Sequence, residues 1–383
     1  MESCDINQID SMGNTPLAWA AENGHEGVVE LLLGRDDIDP NKPGENGKTP
    51  LIRAACRGYD GVVKMLLERD DIDPDKSDDK GETALFCASE RGHEGVVEIL
   101  LGRDDIDPDK AGLDGQTALT IAVYRQHSGV VRMLLRRDDV NPNKQGLNGD
   151  TPLRLAAFNG DKEVVKMLLG RDDINPDELD EGGHTPLWWA AGSDHEEIVK
   201  MLLGRDGVNP DKPDNKGQTP LSCAAENGSK GVMRILLGLD DVNPDTPDKI
   251  GQAPLRYAAL QGIKGAVELL LGQDNVNPDR PNKYGQTPIW WAARYGHAGV
   301  VKILLGRDDV NPDTPDINGQ TPLYCAARYG HEGVVRILLE RDEVNPDKPD
   351  KYGGTPLSYA TLYGHTRVIA LLQPPTAATQ RTD

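Results

Sequence analysis

Histidine is the residue whose charge changes near neutral pH, so the eight histidines are the first place to look for acid–base or metal chemistry. Seven of them, His25, His93, His127, His195, His297, His331 and His365, hold one recurring position at the expected start of a helix. They are separated by 34 residues or multiples of it, which predicts a row and not a cluster. The reading that follows is a polar link at each helix start. His184 alone breaks the pattern, in a hairpin before Thr185. The five cysteines contain no C-x-x-C pair, and Cys87, Cys223 and Cys325 recur at equivalent positions several repeats apart. They read as free thiols in a reducing compartment, with no clustered ligands for zinc. Acidic strings such as Asp78-Asp79-Lys80-Gly81-Glu82 invite a calcium reading, but an EF-hand loop needs alternating oxygen ligands and a Glu at its twelfth position. Here Pro and Lys interrupt that spacing, and turn chemistry accounts for the Asp and Asn residues. There is no glycine-rich phosphate loop, no H-E-x-x-H and no G-x-S-x-G. No catalytic residue, metal or cofactor is expected.

The elements that carry these residues follow one period. Thr15, Thr49, Thr83, Thr117, Thr151, Thr185, Thr219, Ala253, Thr287, Thr321 and Thr355 succeed one another at 34 residues, giving eleven repeats with nothing left between them. A Gly stands two residues before each, from Gly13 to Gly353, and marks a turn that needs positive φ. Thr then caps a short helix, and Pro occupies its first turn, where a missing N–H costs nothing. A second Gly, replaced only by Gln126 and Asp194, stops that helix. A longer helix follows, with Val28, Val29, Leu32 and Leu33 as its buried face in the first repeat. The loops carry Asp-Pro or Asn-Pro, as at Asp39-Pro40 and Asn311-Pro312, which disfavours helix and predicts stiff, extended connectors.

Bulk properties narrow the class. The chain has 383 residues, 42 Lys and Arg against 63 Asp and Glu, and a net charge of −21. That balance disfavours duplex nucleic acid, which rewards clustered cations. Apolar runs are too short for a membrane span. No secretory signal precedes Asp5, so a cytoplasmic location is expected. The chain begins inside a hairpin at residues 5–7 and ends in a polar stretch, 374–383, expected to be disordered. It reads as an excerpt of a larger protein or as an array with weak caps.

The pattern Gly-x-Thr-Pro-Leu-x-x-Ala-Ala followed by x-x-Gly-His-x-x-Val-Val-x-x-Leu-Leu is intact at residues 319–339. It resembles the ankyrin repeat over residues 5 to about 373. The resemblance implies an all-α, ankyrin-type helix-turn-helix solenoid of eleven 34-residue repeats with protruding hairpin loops, one array over 1–373. Two departures stand out. The family's His after Thr-Pro-Leu is replaced in every repeat, for instance by Ala18, Trp188 or Tyr324, so its inter-repeat bridge has to be replaced by packing. The connector is also redistributed around its apolar Ile or Val, which predicts longer fingers. Arg-Asp-Asp-Val-Asn-Pro loops with Trp-Trp-Ala-Ala helices look like arrays of fungal NACHT-type proteins, where they resemble ligand-sensing domains.

Because the fold implies no chemistry, function is expected on the exposed surface. At 100° per residue, positions four and eight after the Thr are expected to face the concave groove. Repeats two to four place Arg53, Arg57, Arg91 and Arg125 there, a positive island in an acidic chain. Later repeats place Trp189, Tyr257, Trp291, Tyr295, Tyr329, Tyr359 and Tyr363. Ten of the 17 aromatic residues follow residue 252, the bias of a contact surface. A purely structural account has the rings shielding hairpins and the arginines pairing with Glu22, Glu90 or linker aspartates. The function expected is a non-catalytic protein-recognition scaffold. Its partner segment would be acidic toward the arginines and apolar toward the aromatic end. The rivals are an isomerase- or cyclase-type enzyme using the aromatic groove as a pocket, and an architectural spacer. Oligomeric state is not legible.

Overall fold

The computed structural model describes residues 5–11 and 13–373. Cys4 and the 374–383 tail, expected to be free and disordered respectively, lie outside the described residues. All regular structure among them is helical, and no helix is long and apolar enough to cross a membrane. Two compact units divide the chain, Met1–Glu181 with Gly204–Gly207 and Gly182–Leu203 with Val208–Asp383. In the first, the short helices are Pro16–Glu22, Pro50–Arg57, Ala84–Arg91, Ala118–Tyr124 and Pro152–Asn159. Their partners are Glu26–Leu33, Asp60–Leu67, Glu94–Leu101, Ser128–Leu134 and Lys162–Leu169. In the second unit, Pro186–Gly192, Pro220–Asn227, Pro254–Gln261, Pro288–Arg294, Pro322–Arg328 and Pro356–Leu362 play the first role. Glu196–Leu203, Lys230–Leu236, Lys264–Leu271, Ala298–Leu304, Glu332–Leu339 and Thr366–Leu372 play the second.

The short helices form because both ends are specified chemically. Thr15 Oγ1 accepts the N–H of Ala18 at 3.1 Å, and the same cap recurs at every Thr of the series. Such a cap contributes about 1 kcal/mol by satisfying a donor that helix geometry leaves open. Ala253 is the exception and makes no side-chain cap. At the other end the chain turns through a left-handed residue, for example Gly58 at φ 74°. Gln126 and Asp194 adopt the same conformation, at φ 63° and 57°, so the turn survives without glycine at a steric cost. Burial then sets the packing: Leu17, Ala20, Ala21 and Val29 are fully buried in the first repeat, and Ile289, Ala292, Ala293 and Val301 in the ninth.

The connectors are hairpin fingers held by side chains instead of strand ladders. Asp78 Oδ1 accepts the N–H groups of Lys80 and Glu82, both at 2.9 Å, so this buried acid is committed to its own turn. Fingertips join by single backbone bonds, such as Leu113 N–H to the carbonyl of Lys80 at 2.8 Å and Ile317 N–H to that of Tyr284 at 2.9 Å. At six finger bases an Arg forks onto the Asp two residues on, as where Arg103 and Asp105 meet at 2.8 and 2.7 Å. The same guanidinium donates to the carbonyl of Leu67 in the preceding repeat at 2.7 Å, tying finger to helix end. A third link comes from Asn143, whose Nδ2 donates to the carbonyl of Asp173 and whose Oδ1 accepts Asn175 N–H, both at 2.7 Å.

Candidate protein-interaction surface

The recurring histidines bridge repeats. His93, His127, His297, His331 and His365 each donate from Nε2 to a carbonyl 37 residues earlier, at 2.8–3.2 Å. The acceptors, Cys56, Glu90, Leu260, Arg294 and Arg328, end the preceding repeat's first helix. The bridge that the missing His after Thr-Pro-Leu would have made is therefore replaced by hydrogen bonds from another column, and not by packing alone.

In the N-terminal unit the four arginines are largely neutralised at short range. Arg53 is only 8% exposed and bonds Glu22, whose other oxygen accepts Arg57 at 2.9 Å. The Arg57 bond, assisted by Arg53 and opposed by burial, holds the Glu22 carboxyl below its usual range. Arg125 bonds Glu90 at 2.6 Å, and Arg91 lies 4.0 Å from the same carboxylate. Four arginines thus face two glutamates, and the expected positive island is an ion-pair network with Arg57, Arg91 and Arg125 exposed at its edge.

In the C-terminal unit the aromatic residues divide by position. Tyr257, expected on an open face, is 4% exposed, and its hydroxyl donates to Asp248 Oδ2 at 2.7 Å. Burial, then that bond, pushes its phenol well above the usual range. Trp189 is half-buried, its ring edge-on to Trp188 at 5.1 Å and near His184 at 5.2 Å. Trp291 and Tyr359 are half-buried against a core of Trp290, Tyr324 and Cys325. The four-after column therefore packs largely between neighbouring first helices. This corrects the expectation that it faces the concave groove: Arg53, Cys87, Tyr257 and Cys325 are all buried there.

The eight-after column is the open one. Tyr295, Tyr329 and Tyr363 are 50%, 40% and 49% exposed, one per successive repeat. Each ring stacks on the histidine two residues later at 6.3–6.4 Å. Arg294 and Arg328, which the sequence reading passed over, interleave with them. The Arg294 guanidinium lies 4.8 Å over Tyr329 and 6.0 Å over Tyr295, and that of Arg328 lies 5.3 Å over Tyr363 and 5.9 Å over Tyr329. Arg328 also donates to the Tyr324 hydroxyl at 3.2 Å. Trp291 stacks on Tyr295 at 6.1 Å with 12° between planes, and the Arg256 guanidinium lies over the Trp291 ring at 4.3 Å. The result is a continuous alternation of rings and guanidinium groups, held by cation–π contacts and presenting three phenol edges outward. The signal was available: Arg294 and Arg328 are 34 residues apart in the seven-after column.

No curated protein matches the chain significantly. A family model described as ankyrin repeats in three copies matches residues 1–78, 36–111, 71–145, 103–180, 153–248, 206–280, 239–316 and 307–383, which together cover the whole sequence. With the capped helix pairs, inter-repeat histidines and stacked fingers in place, the chain belongs to the ankyrin-repeat family, whose repeats are generally protein–protein interaction modules.

Proposed function

We propose that this chain is a non-catalytic recognition scaffold that binds a protein or peptide partner, with the tyrosine row of its C-terminal unit as principal contact. The observation that carries this reading is the repeat-by-repeat exposure of Tyr295, Tyr329 and Tyr363 with Arg294 and Arg328 locked between them. Tyr and Arg dominate interface hot spots, and rings already fixed by neighbours lose little entropy on binding. A partner segment with an apolar or aromatic anchor suits this row. Exposed Arg57, Arg91 and Arg125 offer a secondary contact for carboxylates in the N-terminal unit, weakened by the two glutamates already there. The strongly negative chain repels acidic segments elsewhere, which sharpens selection more than affinity. This is also the role implied by the likeness to ligand-sensing arrays of fungal NACHT-type proteins, and a cytoplasmic location belongs to the same proposal. Selecting displayed peptides on the wild-type chain and counter-screening them on the Tyr295→Ser, Tyr329→Ser, Tyr363→Ser triple variant tests it. Selected peptides should bind the former and lose the latter.

A further inference from the structure

Position seven of one first helix lies against position four of the next, 31 residues on, and three pairs fix how close that approach is. Glu22 bonds Arg53, and Arg328 sits 5.2 Å over the ring of Tyr359. A Cβ built on Gly192 would stand 2.7 Å from the sulfur of Cys223. Cys56 and Cys87 occupy the same two positions in the second and third repeats, on helices Pro50–Arg57 and Ala84–Arg91. A Cβ that close to a sulfur, itself one bond from its own Cβ, leaves the two Cβ atoms at these positions no farther apart than the upper end of the disulfide range, about 4.5 Å. All four described cysteines are free thiols.

The surroundings are asymmetric. Cys56 is half-buried, with the Lys48 ammonium 4.0 Å from its sulfur, whereas Cys87 is 1% exposed. We propose that Cys56 and Cys87 form a peroxide-responsive dithiol, with Cys56 as the attacking thiolate and Cys87 as the resolving thiol that closes a disulfide between neighbouring repeats.

The electrostatics support that division of roles. The neighbouring Cys87 thiol, with Lys48 and Arg91 assisting against burial and Glu82, holds the Cys56 thiol below its usual range. Cys56 and burial push Cys87 up, so the two thiols do not compete as nucleophiles. Cys223 and Cys325 are internal controls: Gly192 and Arg294 stand where Cys56 would be, and burial pushes Cys223 up to about 12. In the first step the Cys56 thiolate attacks one oxygen of hydrogen peroxide. An S–O bond forms, the O–O bond breaks, and hydroxide takes a proton from solvent to leave as water. In the second, the Cys87 sulfur attacks the Cys56 sulfenic acid, the S–S bond forms, and the hydroxyl leaves with the Cys87 proton as a second water. Two thiols lose two electrons and the peroxide gains them. The bond would pin the helix end that carries Arg57 to the helix that carries Arg91, at the edge of the arginine network.

The test treats the full native chain with hydrogen peroxide, then maps it by alkylation and mass spectrometry. The expected result is a mass loss of two hydrogens, a cross-linked peptide joining Cys56 to Cys87, and reversal by dithiothreitol. Cys87→Ala should stop at a sulfenic acid on Cys56 that dimedone captures. Lys48→Met should slow alkylation of Cys56 severalfold without affecting Cys223. Cys56→Ser, at a half-buried position, should lose no hydrogens, and it keeps the test decisive if Cys87→Ala misfolds. Wild type that keeps both thiols alkylatable after peroxide, or that joins Cys56 to a different cysteine or a second chain, would overturn the proposal.

Discussion

The Nε2–H of His297 donates to the carbonyl of Leu260, 37 residues earlier, at 2.8 Å. That carbonyl belongs to the last turn of Pro254–Gln261, where helix geometry leaves acceptors open. The residue stands at the start of its own helix, and its side chain ends the previous repeat's first helix and, through the 6.4 Å stack on Tyr295, steadies a ring of the proposed contact row. Structure and surface are coupled through this imidazole.

His297→Ala should accordingly destabilise the protein by about 1–3 kcal/mol, the range for leaving a buried polar group without its partner. Chemical unfolding followed by circular dichroism measures this, and His331→Ala should behave alike because its bond to the Arg294 carbonyl is equivalent, at 2.9 Å.

Ala253→Thr should do the opposite. Every other repeat caps its first helix with a Thr hydroxyl, whereas at Ala253 the Arg256 N–H turns to the Ala253 carbonyl at 3.0 Å and the backbone keeps the extended form of a cap, at φ −89° and ψ 166°. Restoring the hydroxyl should raise stability by about 1 kcal/mol. A higher unfolding midpoint is the readout.

Asp109 and Asn143 hold one position in neighbouring fingers, and the comparison sets a pH dependence. Asp109 Oδ2 accepts Asn141 N–H at 2.8 Å, but its buried Oδ1 makes no hydrogen bond, where Asn143 instead donates an N–H. Burial raises the Asp109 carboxyl above its ordinary value, aided by Asp107 and Asp139 and opposed by the Asn141 bond and Lys144. A raised carboxyl penalises the folded state at neutral pH, and the penalty lifts as pH falls through the folded value toward the ordinary one. Asp109→Asn should therefore stabilise the protein near pH 7, with the advantage shrinking in acid. Unfolding midpoints at pH 7 and pH 4 decide it.

Glu22 predicts the opposite sign. Its carboxyl is lowered by Arg57, then by Arg53, so its contribution is present above the ordinary carboxylate range and is lost as pH falls through the lowered value. Glu22→Gln should destabilise at pH 7, because Arg53 stays buried without its counter-charge, and the difference from wild type should close toward pH 2.

The period, the glycine turns and the capped helix starts were legible, because each depends on local chemistry repeated along the chain. The facing of the first helices was not. A helix of seven or eight residues sandwiched between two neighbours buries three sides, so helical periodicity separates the core from the rest but cannot tell an inter-repeat face from an open one. Tyr257 and Arg53 fell on the inter-repeat face for that reason, whereas Tyr295, Tyr329 and Tyr363 did not. The 31-residue offset that joins Glu22 to Arg53 and Cys56 to Cys87 was present in the numbering. It carries meaning only once the helices are known to pack in register.

The most direct measurement of the recognition account is calorimetric titration of a peptide selected on the wild-type chain into three proteins: wild type, the Tyr295→Ser, Tyr329→Ser, Tyr363→Ser variant, and a control with Tyr284→Ser and Tyr352→Ser. The control removes tyrosines that are also exposed, at 49% and 81%, but stand on the fingers. The prediction is a Kd weakened by roughly 30-fold or more, about 2 kcal/mol, in the row variant and unchanged affinity in the control. Equal affinity of wild type and row variant, or a loss confined to the finger control, would contradict it.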